Sequence, residues 1–252
     1  CGAGCCSAAC RRPAGAETMQ ASHDPLADVT GIDAAAVAAA PSVHSVYVYE
    51  APVRAWHWVN ALAITVLAVS GYFIGQPLPS VPGEASDWFL MGYIRFAHFA
   101  SGYVLAFGLL GRAYWALVGN HHSRELFTLP LTRGAYWREV GAMLAWYAFI
   151  RPRPNQYVGH NPMARLAMFF GYLLLTLFMI VTGFALYGEG AQAGSWAHSA
   201  FTSWVLPLFG GNSQSVHTWH HLGLWAVVCF VILHVYAAIR EDIMGRQSIV
   251  ST

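Results

Sequence analysis

Histidines in the apolar part of the chain show the clearest chemical pattern. His220 and His234 lie fourteen residues apart within one apolar run. In an α-helix, fourteen residues return to within about 40° of the starting direction and rise about 21 Å. His221 is a poorer partner for His234, because thirteen residues place it about 140° away around the helix. One helix face therefore presents two imidazoles at two levels, and imidazole is a common metal ligand.

The elements that would position these histidines are membrane-spanning helices. The chain is 56% hydrophobic and only 10% charged, whereas a soluble domain has about 25% charged residues. Four apolar stretches reach the length of about 20 residues that crosses a bilayer: about Trp56–Ile74, Tyr93–Val118, Leu166–Tyr187 and Trp219–Ile239. A shorter stretch, Ala135–Ile150, contains Arg138 and Glu139 and predicts an amphipathic helix at the membrane interface. The expected fold is all-α, an integral membrane four-helix transmembrane bundle.

The distribution of arginine predicts the orientation of these spans. The loop between the second and third spans is rich in arginine, whereas loops Gln76–Gly92 and Gly188–Thr218 have no basic residue. Further arginines precede the first span and follow the fourth: Arg54, Arg240 and Arg246. Positive charge is enriched on the cytoplasmic side. Both termini of the membrane domain are therefore expected in the cytoplasm, in a multi-pass protein of the bacterial inner membrane.

This topology pairs the membrane histidines. His57 begins the first span at the cytoplasmic side, and His98 begins the second span at the outer side. The fourth span runs inward, so His220 is outer and His234 is inner. The expected pairs are His98 with His220 and His57 with His234.

Haem is the cofactor that these pairs favour. Their surroundings are apolar and aromatic, without a cluster of thiolates or carboxylates, and structural zinc requires four tetrahedral ligands. Each pair can supply two axial nitrogens to one haem iron, which predicts two haems. Arg95 and Arg112 lie at the ends of the second span, where a haem propionate and lipid headgroups are alternative partners.

The N-terminal residues differ from the rest in composition. Residues 1–45 are rich in Ala, Gly, Ser, Pro and Asp and contain no aromatic residue, which predicts a disordered or non-native extension. The membrane domain is then 46–252. The net charge of +1 gives no reason to expect a nucleic-acid partner.

Several long motifs resemble the b-type cytochrome subunit of membrane-bound nickel–iron uptake hydrogenases. They occur in the expected order and spacing across residues 46–250: Glu50–Asn60, Ser70–Ser80, Met91–Phe99, Gly159–Ala164, Gly210–Ser213 and His217–Met244. The resemblance implies a bundle with two b haems that anchors a periplasmic hydrogenase, made of a nickel–iron large subunit and an iron–sulfur small subunit. It also implies that electrons from H2 pass through the outer and inner haems to a quinone, and that the chain does not activate H2 itself. The family's ligand pattern falls on the four histidines paired above.

The resemblance also implies a quinone site beside the inner haem. The matching residues are His160, Tyr236 and Arg240, although Tyr236 and Arg240 are also residue types that mark a membrane interface. Two alternative functions remain open: a cytochrome b subunit of a formate dehydrogenase or thiosulfate reductase-like complex, and a non-redox membrane anchor.

Overall fold

The computed structural model describes residues 49–79, 82–84, 88–155, 157 and 160–244. The predicted extension, residues 1–45, lies outside this part of the chain. The described residues form helices and no strand. The helices are α1 (Ala51–Gly75), α2 (Leu90–Val118), α3 (Gly134–Tyr147), α4 (Pro162–Gly190), α5 (Ser203–Leu208) and α6 (Ser213–Ile243).

Four of these helices, α1, α2, α4 and α6, are long and apolar enough to cross a membrane. They contain the four predicted spans and extend each of them by several residues, so the predicted four-helix membrane bundle is confirmed. Helix α4 includes a π-helical segment, Met168–Leu174. Helix α3 is the short helix predicted for the interface.

The spans pack in a ring. Helix α1 packs along α2, α4 packs along α6, and further contacts join α1 to α6 and α2 to α4. Helices α2 and α6 therefore face each other across the bundle, with α1 and α4 on either side. Large apolar side chains such as Leu62, Phe107 and Leu233 are exposed on the outside, as expected of a surface that faces lipid.

The residues buried between the spans are mostly small or polar. They include Asn60, Ser70, Arg112, Thr176, Thr182 and Gly223. Small residues let membrane helices approach closely, and polar side chains in the interior mark sites with a function. The interior of this bundle is therefore where a prosthetic group would be bound.

The end of the bundle that is predicted to face the cytoplasm is closed by α3 and by the segment before it. Tyr136, Val140, Met143 and Trp146 form the buried face of α3, at the three- and four-residue spacing of an amphipathic helix. The Tyr136 hydroxyl donates a hydrogen bond to the Pro162 carbonyl at the start of α4 (3.0 Å). Glu50, just before α1, accepts hydrogen bonds from the Trp115 indole (2.9 Å) and the Asn120 amide (3.2 Å) at the end of α2. These hydrogen bonds lower the pKa of the Glu50 carboxyl.

Candidate haem-binding sites

The structure brings His98 of α2 and His220 of α6 together near the N-terminal ends of their helices, the side predicted to be outer. Their ring centroids lie 6.4 Å apart. Both side chains are half-buried in the bundle. The pair predicted from helix direction is thus present as a spatial pair, and it spans the interior between the two helices that face each other.

Each of these two rings is hydrogen-bonded through Nδ1 to a hydroxyl on a neighbouring helix. Ser70 Oγ of α1 lies 2.9 Å from Nδ1 of His98, and Thr182 Oγ1 of α4 lies 2.8 Å from Nδ1 of His220. Each hydroxyl donates its own proton to a carbonyl one turn earlier, Val66 or Phe178. The hydroxyl oxygen must therefore accept a hydrogen bond from Nδ1–H, which leaves Nε2 as the unprotonated nitrogen. A hydrogen bond of this kind fixes the tautomer of a metal-binding histidine.

His57 of α1 and His234 of α6 form the second pair, at the opposite end of the bundle, which is predicted to be the inner one. Their ring centroids lie 6.2 Å apart. The His234 ring stacks on Phe230 at 5.8 Å with an angle of 17° between the planes. His57 is exposed and contacts Trp58 edge to face. Within the described residues, neither ring has a hydroxyl partner like that of the outer pair.

Both centroid separations fit two imidazoles on one metal ion. An imidazole nitrogen binds a metal at about 2.0–2.1 Å and lies roughly 1.1 Å from its ring centre, so coaxial ligands have centroids about 6.3 Å apart. The observed values are 6.4 and 6.2 Å. Among the residues with described positions, no group of three or more His, Cys, Asp or Glu side chains could hold a metal ion. The donor set therefore fits a haem iron with two axial histidines and does not fit tetrahedral zinc.

Two glycines permit the close approach of the outer histidines. A Cβ atom on Gly71 would lie 3.2 Å from Cε1 of His98, and one on Gly183 would lie 3.3 Å from Cε1 of His220. Each glycine directly follows the hydroxyl residue that binds the same histidine. The dipeptides Ser70–Gly71 and Thr182–Gly183 thus contact the rings of His98 and His220 in equivalent ways.

His160, predicted for a quinone site, lies just before the start of α4, at the end of the bundle that is predicted to face the cytoplasm. Its Nδ1 lies 3.0 Å from the Tyr49 hydroxyl and 3.3 Å from the Glu125 carboxylate. The Glu125 carboxylate also lies 2.7 Å from Nδ1 of His122. Burial alone would raise the pKa of Glu125, but the hydrogen bonds and charges of His160 and His122 lower it to about 2. Through Tyr49, which lies just before α1, His160 is placed at the end of the bundle that contains His57.

Tyr236 and Arg240, the other two predicted quinone-site residues, contact each other. Arg240 donates one hydrogen bond to the Tyr236 hydroxyl and another to the Trp146 carbonyl, both 2.7 Å long. Its guanidinium carbon lies 3.8 Å from the centroid of the Phe149 ring. Arg240 is buried, and it ties α3 to the end of α6. Tyr236 is exposed.

The residues that follow His160 and Arg240 in the sequence join the start of α4 to the end of α6. Asn161, which follows His160, donates to the carboxylate of Glu241, which follows Arg240, at 2.6 Å. Tyr147 of α3 donates to the same carboxylate oxygen at 2.9 Å. Burial and the Glu241 charge raise the pKa of the Tyr147 hydroxyl. The three predicted residues thus surround one junction of α3, α4 and α6.

Sequence reasoning missed the residues that support the histidines. Ser70 and Thr182 were not singled out, although each precedes a glycine within a span. The predicted loop Gly188–Thr218 includes His217, and this boundary was wrong: His217 lies in α6, which begins at Ser213 after Asn212 caps the amide of Gln214. The capping asparagine was the available signal for an earlier start.

A membrane-spanning four-helix bundle with imidazole pairs at two levels defines the chain as a membrane cytochrome of the b type. More specifically, it belongs to the prokaryotic cytochrome b561 family, whose family model matches residues 48–252. Membership of this family implies b-type haem.

Relatives of the chain carry hydrogenase names. A probable Ni/Fe-hydrogenase B-type cytochrome subunit of Cupriavidus necator is 66% identical over 234 residues, 93% of this chain and 94% of the relative. The protein of the same name from Azotobacter vinelandii is 62% identical over 208 residues, 82% of this chain and 86% of the relative. A probable Ni/Fe-hydrogenase 1 B-type cytochrome subunit of Escherichia coli K12 is 52% identical over 211 residues, covering 84% and 89%. These relatives confirm the resemblance inferred from the sequence motifs.

Proposed function

We propose that this chain is the di-haem membrane subunit of a nickel–iron hydrogenase, which anchors the periplasmic enzyme and passes electrons from H2 to membrane quinone. The observation that carries this proposal is the presence of two histidine pairs at two levels of one bundle. The names of the relatives support the hydrogenase as the partner. The chain itself would transfer electrons and would not activate H2.

The four histidines have distinct positions in this proposal. His98 and His220 would hold the iron of the outer haem, and His57 and His234 would hold that of the inner haem. Haem bound there supplies one-electron transfer. His220 and His234 are separated by about 21 Å along α6, so the two sites span most of a hydrocarbon core about 30 Å thick.

The outer face of the bundle is the side on which the hydrogenase would bind. The outer loops lack basic residues, which by the positive-inside rule favours the periplasm for this face and the cytoplasm for both ends of the membrane domain. Trp88, Phe89, Trp196 and Trp204 are exposed on or beside these loops. Exposed aromatic residues of this kind are enriched at protein interfaces, and the iron–sulfur small subunit is the partner proposed for them.

Quinone would be reduced at the cytoplasmic junction beside the inner pair. His160 is partly exposed and Tyr236 is exposed, so both can reach a ligand in the membrane. A quinone requires hydrogen-bond donors to its carbonyls and protons as it is reduced, and histidine titrates near neutral pH. Arg240 would position the Tyr236 hydroxyl, to which it is already hydrogen-bonded.

Haem content and ligand variants test the central proposal. A pyridine haemochrome assay should give two haems per chain for the wild type and about one for His220→Ala or His234→Ala. His221→Ala is the matched control, because His221 neighbours His220 but points elsewhere around the helix, and it should retain two. Removal of residues 1–45 should also leave two. A wild-type chain without haem, or His220→Ala with both haems, would rule out the ligand assignment.

The choice of electron donor separates the hydrogenase from the alternatives. In membranes that contain the whole complex, H2 should reduce the b haems. Formate and the substrates of thiosulfate reductase should leave the oxidation state of these haems unchanged. His234→Ala should abolish H2-dependent quinone reduction, whereas a non-redox anchor would be unaffected. Reduction by formate alone would instead support a formate dehydrogenase subunit.

A further inference from the structure

Arg112 of α2 is buried inside the bundle at the level of the inner histidine pair. It follows His98 by fourteen residues, the spacing that separates His220 from His234 on α6. Arg112 therefore lies on nearly the same helix face as His98, about 21 Å further towards the cytoplasm. Because α2 and α6 run in the same direction and His98 pairs with His220, Arg112 lies level with His234. Only 5% of its surface is exposed.

The guanidinium of Arg112 has no anionic partner among the residues whose structure is described. Its Nε and Nη1 atoms are buried without a hydrogen-bond acceptor. Its nearest described contacts are aromatic: the guanidinium carbon lies 5.6 Å from the centroid of the Trp56 ring and 5.6 Å from that of Phe127. Aromatic faces attract a cation but do not neutralise its charge.

The indole nitrogen of Trp56 is a second donor beside Arg112 and is also buried without an acceptor. A Cβ atom on Gly108, one turn before Arg112, would lie 3.5 Å from this nitrogen. The indole nitrogen therefore lies in ordinary van der Waals range of α2, close to the guanidinium. Two unsatisfied donors, one of them charged, lie together between α1 and α2.

Other polar groups nearby are already paired with each other. The buried Asn60 side chain donates to the Trp56 carbonyl at 2.9 Å. The Tyr172 hydroxyl of α4 lies 3.5 Å from the Asn60 side-chain oxygen. These groups are neutral, so they leave the positive charge of Arg112 uncompensated. A buried charge without a partner is strongly unfavourable, and the expected ligand of this site is therefore an anion.

We propose that Arg112 and Trp56 bind an ionised propionate of the inner haem. This inference rests on the proposed function. Trp56 directly precedes His57, the proposed inner ligand, and Arg112 is level with His234, so a carboxylate at the rim of that haem lies within reach of both donors. Arginine and an indole N–H suit a carboxylate, which only accepts hydrogen bonds. Lipid headgroups are the partner expected for Arg95, which is exposed on the same helix, but they cannot reach the buried Arg112.

Redox titration of Arg112→Gln in the intact complex tests the proposal. Loss of the positive charge disfavours the reduced, more negative state, so one of the two haem midpoint potentials should fall and the other should stay unchanged. Arg112→Lys keeps the charge and should give a smaller shift. Arg95→Gln is the matched control and should shift neither potential.

Infrared difference spectra with haem labelled with 13C in its propionates identify the ligand directly. The wild type should show redox-linked bands of an ionised propionate, and Arg112→Gln should shift them. If Arg112→Gln does not accumulate, Trp56→Phe removes only the N–H donor and should shift the same bands. Unchanged bands and potentials in a variant with both haems would overturn the proposal. A wild type without haem would instead overturn the proposed function.

Discussion

Ser70 Oγ lies 2.9 Å from Nδ1 of His98, and this contact is matched on the opposite side of the bundle by Thr182 and His220 at 2.8 Å. The two hydroxyls come from α1 and α4, which lie on either side of the outer pair. His57 and His234 have no such partner in the described part of the chain and contact aromatic rings instead. The two pairs thus have different environments, and the basicity of a histidine ligand depends on the hydrogen bond that its other nitrogen makes.

Ser70→Ala and Thr182→Val should affect the outer site alone. Each removes a hydrogen bond worth about 1 kcal/mol and makes the imidazole a weaker electron donor, which disfavours the oxidised iron. We expect each variant to raise the midpoint potential of one haem, as measured by redox titration. The affected haem should be the same in both variants. Thr65→Ala is the matched control, because its hydroxyl bonds only to the Ala61 carbonyl on an exposed face. A rise in both potentials would contradict the assignment.

Gly71→Ala and Gly183→Ala should disturb the outer histidines by steric contact. The added methyl groups would lie 3.2 and 3.3 Å from the rings of His98 and His220, so each ring must move by a few tenths of an ångström. We expect less haem per chain and an altered low-spin electron paramagnetic resonance signal from one haem. Gly111→Ala should keep both signals, because Gly111 lies on an exposed face of α2 and an added Cβ atom would meet no described atom within 4 Å. It should also be more stable by up to about 1 kcal/mol, because alanine favours helix. Normal haem content and spectra in both test variants would show that these glycines do not limit ring position.

The sequence could predict the features of the structure that depend on composition and residue spacing within a single helix. Hydropathy predicted the four spans. The fourteen-residue spacing of His220 and His234 predicted imidazoles at two levels of the bundle. Helix direction then gave the partners His98 and His57, which lie at the expected places. Their role as ligands stays a prediction.

Contacts that depend on the rotation of one helix against another could not be predicted. The hydroxyls of Ser70 and Thr182 reach the histidines only because α1 and α4 turn these faces inward. The spacing of His98 and Arg112 is visible in the sequence, but whether Arg112 reaches headgroups or the interior depends on its burial. The contact between Glu125 and His160 joins positions 35 residues apart in the sequence.

Glu125→Gln should remove an acid-sensitive contribution to stability at the cytoplasmic face. The folded pKa of about 2 lies below the ordinary value of 4.5, so the carboxylate stabilises the protein above pH 4.5 and loses this effect between pH 4.5 and 2. We expect the variant to be less stable than wild type at pH 7 by on the order of 1–2 kcal/mol, given partial solvent screening. The difference should shrink as the pH falls. Thermal unfolding of the detergent-solubilised protein at pH 7, 5 and 3.5 measures it.

Glu189→Gln is the control for this effect. Glu189 is an exposed carboxylate that accepts a hydrogen bond from Ser213 but has no histidine partner among the described residues, so its replacement measures the effect of losing a hydrogen-bonded surface carboxylate. A constant difference between Glu125→Gln and wild type at all three pH values would show that the charge of Glu125 does not contribute.

Asn161→Ala should destabilise the junction of α3, α4 and α6 by more than the loss of a helix cap alone would. The Asn161 side chain accepts a hydrogen bond from the Ala164 amide at 2.7 Å and donates one to the buried Glu241 carboxylate at 2.6 Å. Loss of the cap costs about 1 kcal/mol, and loss of a donor to a buried carboxylate costs a further 1–3 kcal/mol or so. Asn212→Ala is the matched control, because Asn212 caps α6 at an exposed site and should cost only about 1 kcal/mol. Thermal unfolding should therefore show a clearly lower melting temperature for Asn161→Ala, and equal losses in the two variants would mean that the bond to Glu241 contributes nothing.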